Sequence, residues 1–486
     1  MRKRWIKGLS LLLALLLVLT ALTACGTREY PYIEGLNAYE ITLSLDEQSK
    51  TAQVSQKVTY HNTTGQNINQ LVFRVYAGAF AQPETAPFDI YEWTYAYPDG
   101  FSPGNIEFSA VKIDGADSTY AIGGEDNTVM QLDVPIDAGK SVQVEMQYTL
   151  TLPNSPGRFG YGEKTYNFGN CFPILSVFEE NAWDQSPYSG IGDPFYSTVA
   201  DYSVSVTLPQ GMKMASTGKA NLLDEQSNTY EISAPCVRDF ALIAGHDLQV
   251  HTAFVEGVEV KSYAFSEEYG KDALEYAKNS LAAFSRIYGA YPYPTFSVAE
   301  ADFFVGGMEY PGLVLISSEL YNSAYALDLE YVVAHEVAHQ WWYAGVGNNQ
   351  VKEPWLDEAL TEYSTILYFV DCHGVENAEK VYNTYVQRKV ERAEEYMIIL
   401  PEQGLGGGLD AFDSNVQYDA LVYGKGAMMF RALHKELGET FVECMRQYYA
   451  ENLFKEATIH TMLDTIRTVT QKDYSDFFVY WLSGMD

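Results

Sequence analysis

The sequence predicts an α+β fold of more than one domain, an all-β half followed by a mainly helical half with a small sheet. Three observations predict it: hydrophobic residues alternate with period two through the first half, the period becomes helical near residue 271, and 486 residues exceed what one core organises.

Alternation begins at Tyr39, Ile41, Leu43 and Leu45 and continues at Leu71, Phe73 and Val75. It returns at Val142, Val144, Met146, Tyr148 and Leu150, then at Tyr202, Val204, Val206 and Leu208. Successive strand residues point to opposite faces, so this pattern marks half-buried strands. Turn-forming stretches such as Asn62-Thr63-Thr64-Gly65 separate them. A β domain over 37–250 follows.

From about 271, Leu274, Ala277, Leu281, Phe284 and Tyr288 share one helical face, and helix-length segments dominate the second domain, 251–486. The stretch 289–295, containing Tyr291-Pro292-Tyr293-Pro294, stops the first helix. Phe303-Phe304-Val305 and Leu313-Val314-Leu315-Ile316 are expected as strand around a Gly306-Gly307 interruption, giving a small sheet beside the helices.

Residues 1–25 have the form of an export signal. Arg2, Lys3, Arg4 and Lys7 make a basic start, and Leu9 to Leu22 is an apolar stretch short for a bilayer span. It ends in Leu22-Thr23-Ala24-Cys25-Gly26, which resembles the bacterial lipobox. That resemblance implies a diacylated Cys25 as mature N-terminus, a protein exported and lipid-anchored to the outer face of the cell membrane, and a tether over 26–36.

The formal net charge is −33, and losing the four basic residues of the signal leaves 27 basic against 64 acidic. The acidic excess is spread along the chain, which excludes a nucleic-acid backbone as partner. Besides Cys25 there are cysteines at 171, 236, 372 and 444, with no Cys-x-x-Cys pair, so they are expected as ordinary thiols rather than as a disulfide frame or a thiolate metal site.

The chemistry concentrates in His335-Glu336-Val337-Ala338-His339. On a helix, residues four apart share a face, so both imidazoles can meet one ion while Glu336 points at bound water. Catalytic zinc takes three protein ligands and keeps one position open. The third ligand expected is Glu358, in Trp355-Leu356-Asp357-Glu358-Ala359, after eighteen intervening residues that suit a helix end, a loop and the start of a second helix. With 8 His in the chain, chance placement of the five-residue pattern is expected at most about 0.02 times. Glu362, one turn on, is either the partner of a ligating imidazole or a solvated helix acid. In such a site Glu336 takes a proton from the metal-activated water and returns it to the leaving amine, and the developing oxyanion needs a further donor.

This pattern, with its W-L-x-E segment, resembles the gluzincin aminopeptidases of the aminopeptidase N and leukotriene-hydrolase family. Gly306-Gly307-Met308-Glu309-Tyr310 looks like the family's G-x-M-E-N motif, which implies that Glu309 captures the free α-amino group of a peptide. Val422-Tyr423-Gly424-Lys425-Gly426 resembles the Y-x-K-G segment, which implies Tyr423 as oxyanion donor. Arg238-Asp239-Phe240-Ala241 and the run from Phe284 to Pro294 are weaker matches. The resemblance implies a saddle-like β domain before a thermolysin-like catalytic domain, one Zn2+ per chain, peptides with a free N-terminus as substrate, and a short form without the family's C-terminal helical domain. Two departures stand out: Tyr310 replaces the motif's Asn, and no Gln precedes Phe172-Pro173 where relatives help bind the substrate amine. The alternatives are another hydrolase activity on the same site, such as an endopeptidase, and a non-catalytic peptide-binding lipoprotein.

Overall fold

The computed structural model describes residues 28–484, so the signal stretch and Cys25 lie outside the described residues. Of the tether expected over 26–36, residues 28–36 lie against the body. The Tyr30 hydroxyl is 2.8 Å from Thr295 Oγ1, the Arg28 guanidinium donates to the Tyr291 carbonyl, and Cys236 Sγ lies 3.5 Å from the Pro31 carbonyl.

The alternation becomes a sheet. In Asn37–Asp46, Tyr39, Ile41, Leu43 and Leu45 are buried while Glu40, Thr42, Ser44 and Asp46 face water. This strand lies antiparallel to Thr51–His61 and parallel to Ala200–Thr207 inside an eight-stranded sheet. The β half also holds two four-stranded sheets, one around Ile68–Arg74 and Val129–Ile136, the other around Thr165–Phe168 and Leu242–Gly245, and a short hairpin of Phe178–Glu179 with Ala182–Trp183.

A five-stranded sheet opens the second half in the order Gln249–Val255, Val258–Ala264, Thr295–Ala301, Leu313–Ser317, Gly307–Met308. Helix α1, Glu267–Ile287, is capped by the Ser266 side chain accepting from the Tyr269 amide, and it buries Leu274, Ala277, Leu281 and Phe284. Phe303-Phe304-Val305 is not strand. The strand ends at Ala301, and the apolar run turns toward the β domain, where the Phe304 amide donates to the Pro156 carbonyl and its ring meets Phe88 at 5.6 Å. Phe304 is apolar because it packs between domains, a cause that periodicity does not reveal, while Val305 is 38% exposed.

Helix α2, Ala326–Ala338, and helix α3, Trp355–His373, then place the zinc motif and Glu358 face to face. A helical run over 415–437 crosses α3, and its middle, Asp419–Lys425, widens into a π turn. Such turns are retained where they aim a side chain, and this one carries Tyr423.

Candidate active site

His335 sits in the last turn of α2, His339 follows its last residue, and Glu358 lies in the first turn of α3. Their ligating atoms lie within 4.8 Å of one another, all buried. His335 Nδ1 faces Glu362 Oε2 at 3.0 Å and His339 Nδ1 faces the Trp342 carbonyl at 3.0 Å. An acceptor at each Nδ1 puts the proton there and leaves both Nε2 lone pairs pointing inward. Those Nε2 atoms are 3.2 Å apart, and Glu358 Oε2 is 3.1 Å from one and 3.4 Å from the other. Glu362 is therefore the buried hydrogen-bond partner of the His335 imidazole rather than a solvated acid. Its other oxygen accepts from the Tyr331 hydroxyl at 2.6 Å.

The electrostatics say the same. Burial opposes a charged His335, yet Glu358 and Glu362 outweigh it and hold the imidazole up at about 9. Burial likewise opposes protonation of His339, and Glu358 and Glu309 carry it well above its usual value. Glu358 is pushed up by burial but held well below the carboxylate range by His339 and His335. The cluster is built to surround positive charge, and two neutral imidazoles with one carboxylate are a donor set that fits zinc with a position left open.

Glu336 points into the same space from α2. Its Oε2 is buried with no hydrogen-bond partner, and burial pushes its carboxyl up to about 7. A Cβ on Gly307 would stand 2.3 Å from Glu336 Oε1, so glycine there is what lets the base sit against the Gly307–Met308 strand. Gly307→Ala should displace the carboxylate and lower kcat by up to about 100-fold with zinc retained. Gly306 is freer, its nearest neighbour being Val332 at 3.8 Å.

Glu309 follows that strand, fully enclosed, with Oε1 unpartnered. Its oxygens lie within 4.8 Å of those of Asp193 and Glu358, and also of Glu336 and His339. Burial first and the Asp193 charge second raise its pKa well above normal. Asp193 belongs to the β domain and is ion-paired with Arg158, whose Nε is 3.1 Å from Met308 Sδ. Met308 thus packs under the site, and the β domain closes it.

Tyr310, in the place of the motif's Asn, turns away from the cleft. Its hydroxyl donates to Asn170 Oδ1 at 2.8 Å, and Asn170 donates to Asp239 Oδ2 at 2.5 Å. A Cβ on Gly169 would lie 1.8 Å from that hydroxyl, so glycine makes room for it. The substitution joins the two domains.

Tyr423 lies on the opposite wall, its ring 5.7 Å from that of His335 and nearly parallel to it. Lys389 Nζ stands 5.3 Å from the Tyr423 ring centre, 2.6 Å from Asp419 and 4.0 Å from Glu362. Lys425 of the same motif donates to the carbonyls of Leu400, Pro401 and Gln403, each at 2.9 Å, and a Cβ on Gly426 would be 2.3 Å from Ala359 Cβ. Lysine therefore ties the helix to the 400–403 loop, glycine lets it pack closely on α3, and the tyrosine ring faces His335. Beside the metal site a cavity of about 440 Å3 is lined by Arg158, Asp193, Glu336, Tyr423 and Lys389, with Phe88 and Glu92 from the β domain.

Asp193, Arg158 and Lys389 escaped sequence reasoning. Asp193 precedes a proline in an irregular stretch, Gly192-Asp193-Pro194, and nothing local distinguishes it from a surface acid.

Two imidazoles, a carboxylate and an unpartnered buried glutamate on facing helices define a zinc hydrolase site of the gluzincin class. Residues 272–481 match the peptidase family M1 domain. The chain is 28% identical over 237 residues to aminopeptidase 2, mitochondrial, of Saccharomyces cerevisiae, covering 46% of this chain and 25% of that protein. It is 28% identical over 261 residues to aminopeptidase N of Haemophilus influenzae, covering 49% of this chain and 29% of that one. An M1 zinc metallopeptidase from Deinococcus radiodurans shares the fold over 95% of both chains, with a TM-score of 0.63 at 16% identity. The second half of the chain is thus an M1 peptidase domain, similar to the aminopeptidase N-type gluzincins. It spans less than half the length of the curated relatives it matches.

Proposed function

We propose that this protein is a zinc-dependent aminopeptidase that removes N-terminal residues from peptides at the outer cell surface, with one zinc per chain and a lipid on Cys25 as its anchor. The observation that carries the exopeptidase reading is Glu309, a buried carboxylate with an unpartnered oxygen, set beside Asp193 within reach of the metal ligands. Buried carboxylates are kept only where a cation balances them, and the α-ammonium of a peptide is a cation of the right size held next to the scissile bond.

His335, His339 and Glu358 would hold the ion, and zinc bound there supplies Lewis acidity and a more acidic water. Glu336 accepts the proton of the attacking water and later donates it to the leaving amine. The Tyr423 hydroxyl, which burial keeps protonated well above the usual tyrosine range, donates to the carbonyl oxygen as negative charge develops. Glu362 and the Trp342 carbonyl hold the two imidazoles in their ligating tautomer.

Glu309→Ala tests the reading. The expected result is zinc bound as in wild type with kcat/KM on aminoacyl amides down about 10- to 100-fold, the worth of a charge-assisted contact. N-terminally acetylated peptides should be cleaved poorly by wild type and no worse by the variant. Equal turnover of blocked and free peptides by wild type would instead establish an endopeptidase.

A further inference from the structure

We propose that the solvent face of the hairpin formed by Gln249–Val255 and Val258–Ala264, together with the docked segment 28–36, is the surface this protein lays on the bilayer that carries its own N-terminus. The proposal rests on the reading that Cys25 is lipid-modified.

Chain length makes the first argument. Cys25 precedes Arg28 by three residues, which reach at most about 11 Å when extended. Arg28 is fixed on the Tyr291 carbonyl and Tyr30 on Thr295. A lipid on Cys25 therefore holds Thr295 close to the headgroups, because no free tether separates anchor from body.

Strand register then says which surface comes with it. Thr295 pairs with Glu259, and Glu259 pairs with Phe254 across the hairpin. Paired residues share a face of the sheet at about 4.8 Å per strand, so Phe254 lies about 10 Å from Thr295 on the side where Tyr30 docks. The outward positions of this edge strand are Val250, Thr252 and Phe254. Phe254 is 66% exposed, Val250 40%, and Tyr32 in the docked segment 82%.

The other face of the hairpin is already covered. A Cβ on Gly270 of α1 would lie 3.0 Å from His251 and 2.9 Å from Ala264, which puts the helix on that side. Exposed apolar side chains on an unpaired edge strand are a liability in water, and aromatic rings are the side chains that favour the headgroup layer. Charge does not contribute: the surface carries Arg28 and Lys261 against Glu29, Glu34, Glu256 and Glu259, so its contact with lipid rests on reach and on the apolar side chains. The bilayer is the occupant that satisfies reach and apolarity together.

The test uses the full lipidated chain in phosphatidylcholine and phosphatidylglycerol vesicles doped with a headgroup nitroxide lipid. Cys372, the exposed thiol among the described residues, is first changed to Ser, and a fluorophore is attached at Phe254→Cys or, as control, at Glu275→Cys on α1. Peptide hydrolysis by both labelled forms checks that they are folded. The expected result is strong quenching of the label at 254 and retained emission at 275. Equal quenching at both positions, or none at 254 in protein whose intact mass shows an acylated Cys25, overturns the surface alone. An unmodified Cys25 in the intact mass overturns the anchoring reading and this surface with it.

Discussion

Glu336→Ala should lower kcat by about 100- to 10,000-fold while KM changes little and zinc stays bound. Glu336 contributes nothing to the His335, His339 and Glu358 donor set, so its removal leaves every ligand and every acceptor behind the imidazoles in place. What disappears is a buried carboxylate beside the donor set whose Oε2 has no hydrogen-bond partner, placed on the same helix as both imidazoles, whereas the other carboxylate with an unpartnered oxygen, Glu309, follows the Gly307–Met308 strand. Glu336→Gln separates proton transfer from shape, because the amide fills the same space against Gly307 but accepts no proton. Its loss should match that of the alanine variant. Metal analysis of both variants, with steady-state kinetics on an aminoacyl amide, is the measurement. A glutamine variant within about tenfold of wild type would remove Glu336 from the role of base.

How far the sequence foretold this site depends on whether the signal was local. The two strand faces of Tyr39 to Leu45, the helical face of Leu274 to Phe284 and the pairing of His335 with His339 all depend on residues a few positions apart, and all appear in the structure as expected; Glu358, after eighteen intervening residues, is brought beside them by the packing of α2 on α3. The role of Glu362 was open because a helix acid looks the same with or without a histidine above it, and only the packing of α2 on α3 decides it. Asp193, Arg158 and Lys389 reach the cleft through tertiary contacts. The apolar run Phe303-Phe304-Val305 looked like strand for the same reason, since an interdomain contact and a sheet interior both require hydrophobic residues. Tyr310 shows the reverse case. It departs from the motif at a position beside Glu309, yet its ring leaves the cleft and its hydroxyl donates to Asn170.

The weak match at Arg238-Asp239-Phe240-Ala241 marks a residue of structural rather than chemical weight, and Arg238→Ala should cost about 3–5 kcal/mol of stability. Arg238 is buried at 2% exposure, and its four donor contacts bind three separate segments. Nε donates to the Tyr343 carbonyl at 2.7 Å, the two terminal nitrogens donate to the Lys455 carbonyl at 2.7 Å and to Glu456 at 2.6 Å, and a longer contact reaches Ser197 at 3.3 Å. Tyr343 is a non-glycine residue at φ 142°, a conformation that persists only where neighbours impose it. A Cβ on Gly347 would stand 2.2 Å from the guanidinium carbon, so the chain passes directly over the charge. That passage is held by the pairing of Gly347–Asn348 with Glu456–Ala457. Alanine would leave the carbonyls without donors and open a cavity at the junction of the β domain, the loop after His339 and the C-terminal helices. The unpaired buried carbonyls dominate the cost, because Glu456 keeps about a third of its side-chain exposure and can return to water. Arg238→Lys keeps the charge but offers one nitrogen where three act, so it should recover only part of the loss. Urea unfolding followed by fluorescence should show a lower midpoint for alanine, an intermediate one for lysine, and zinc binding intact below the transition. An alanine variant as stable as wild type would mean that the junction is held by its apolar contacts alone.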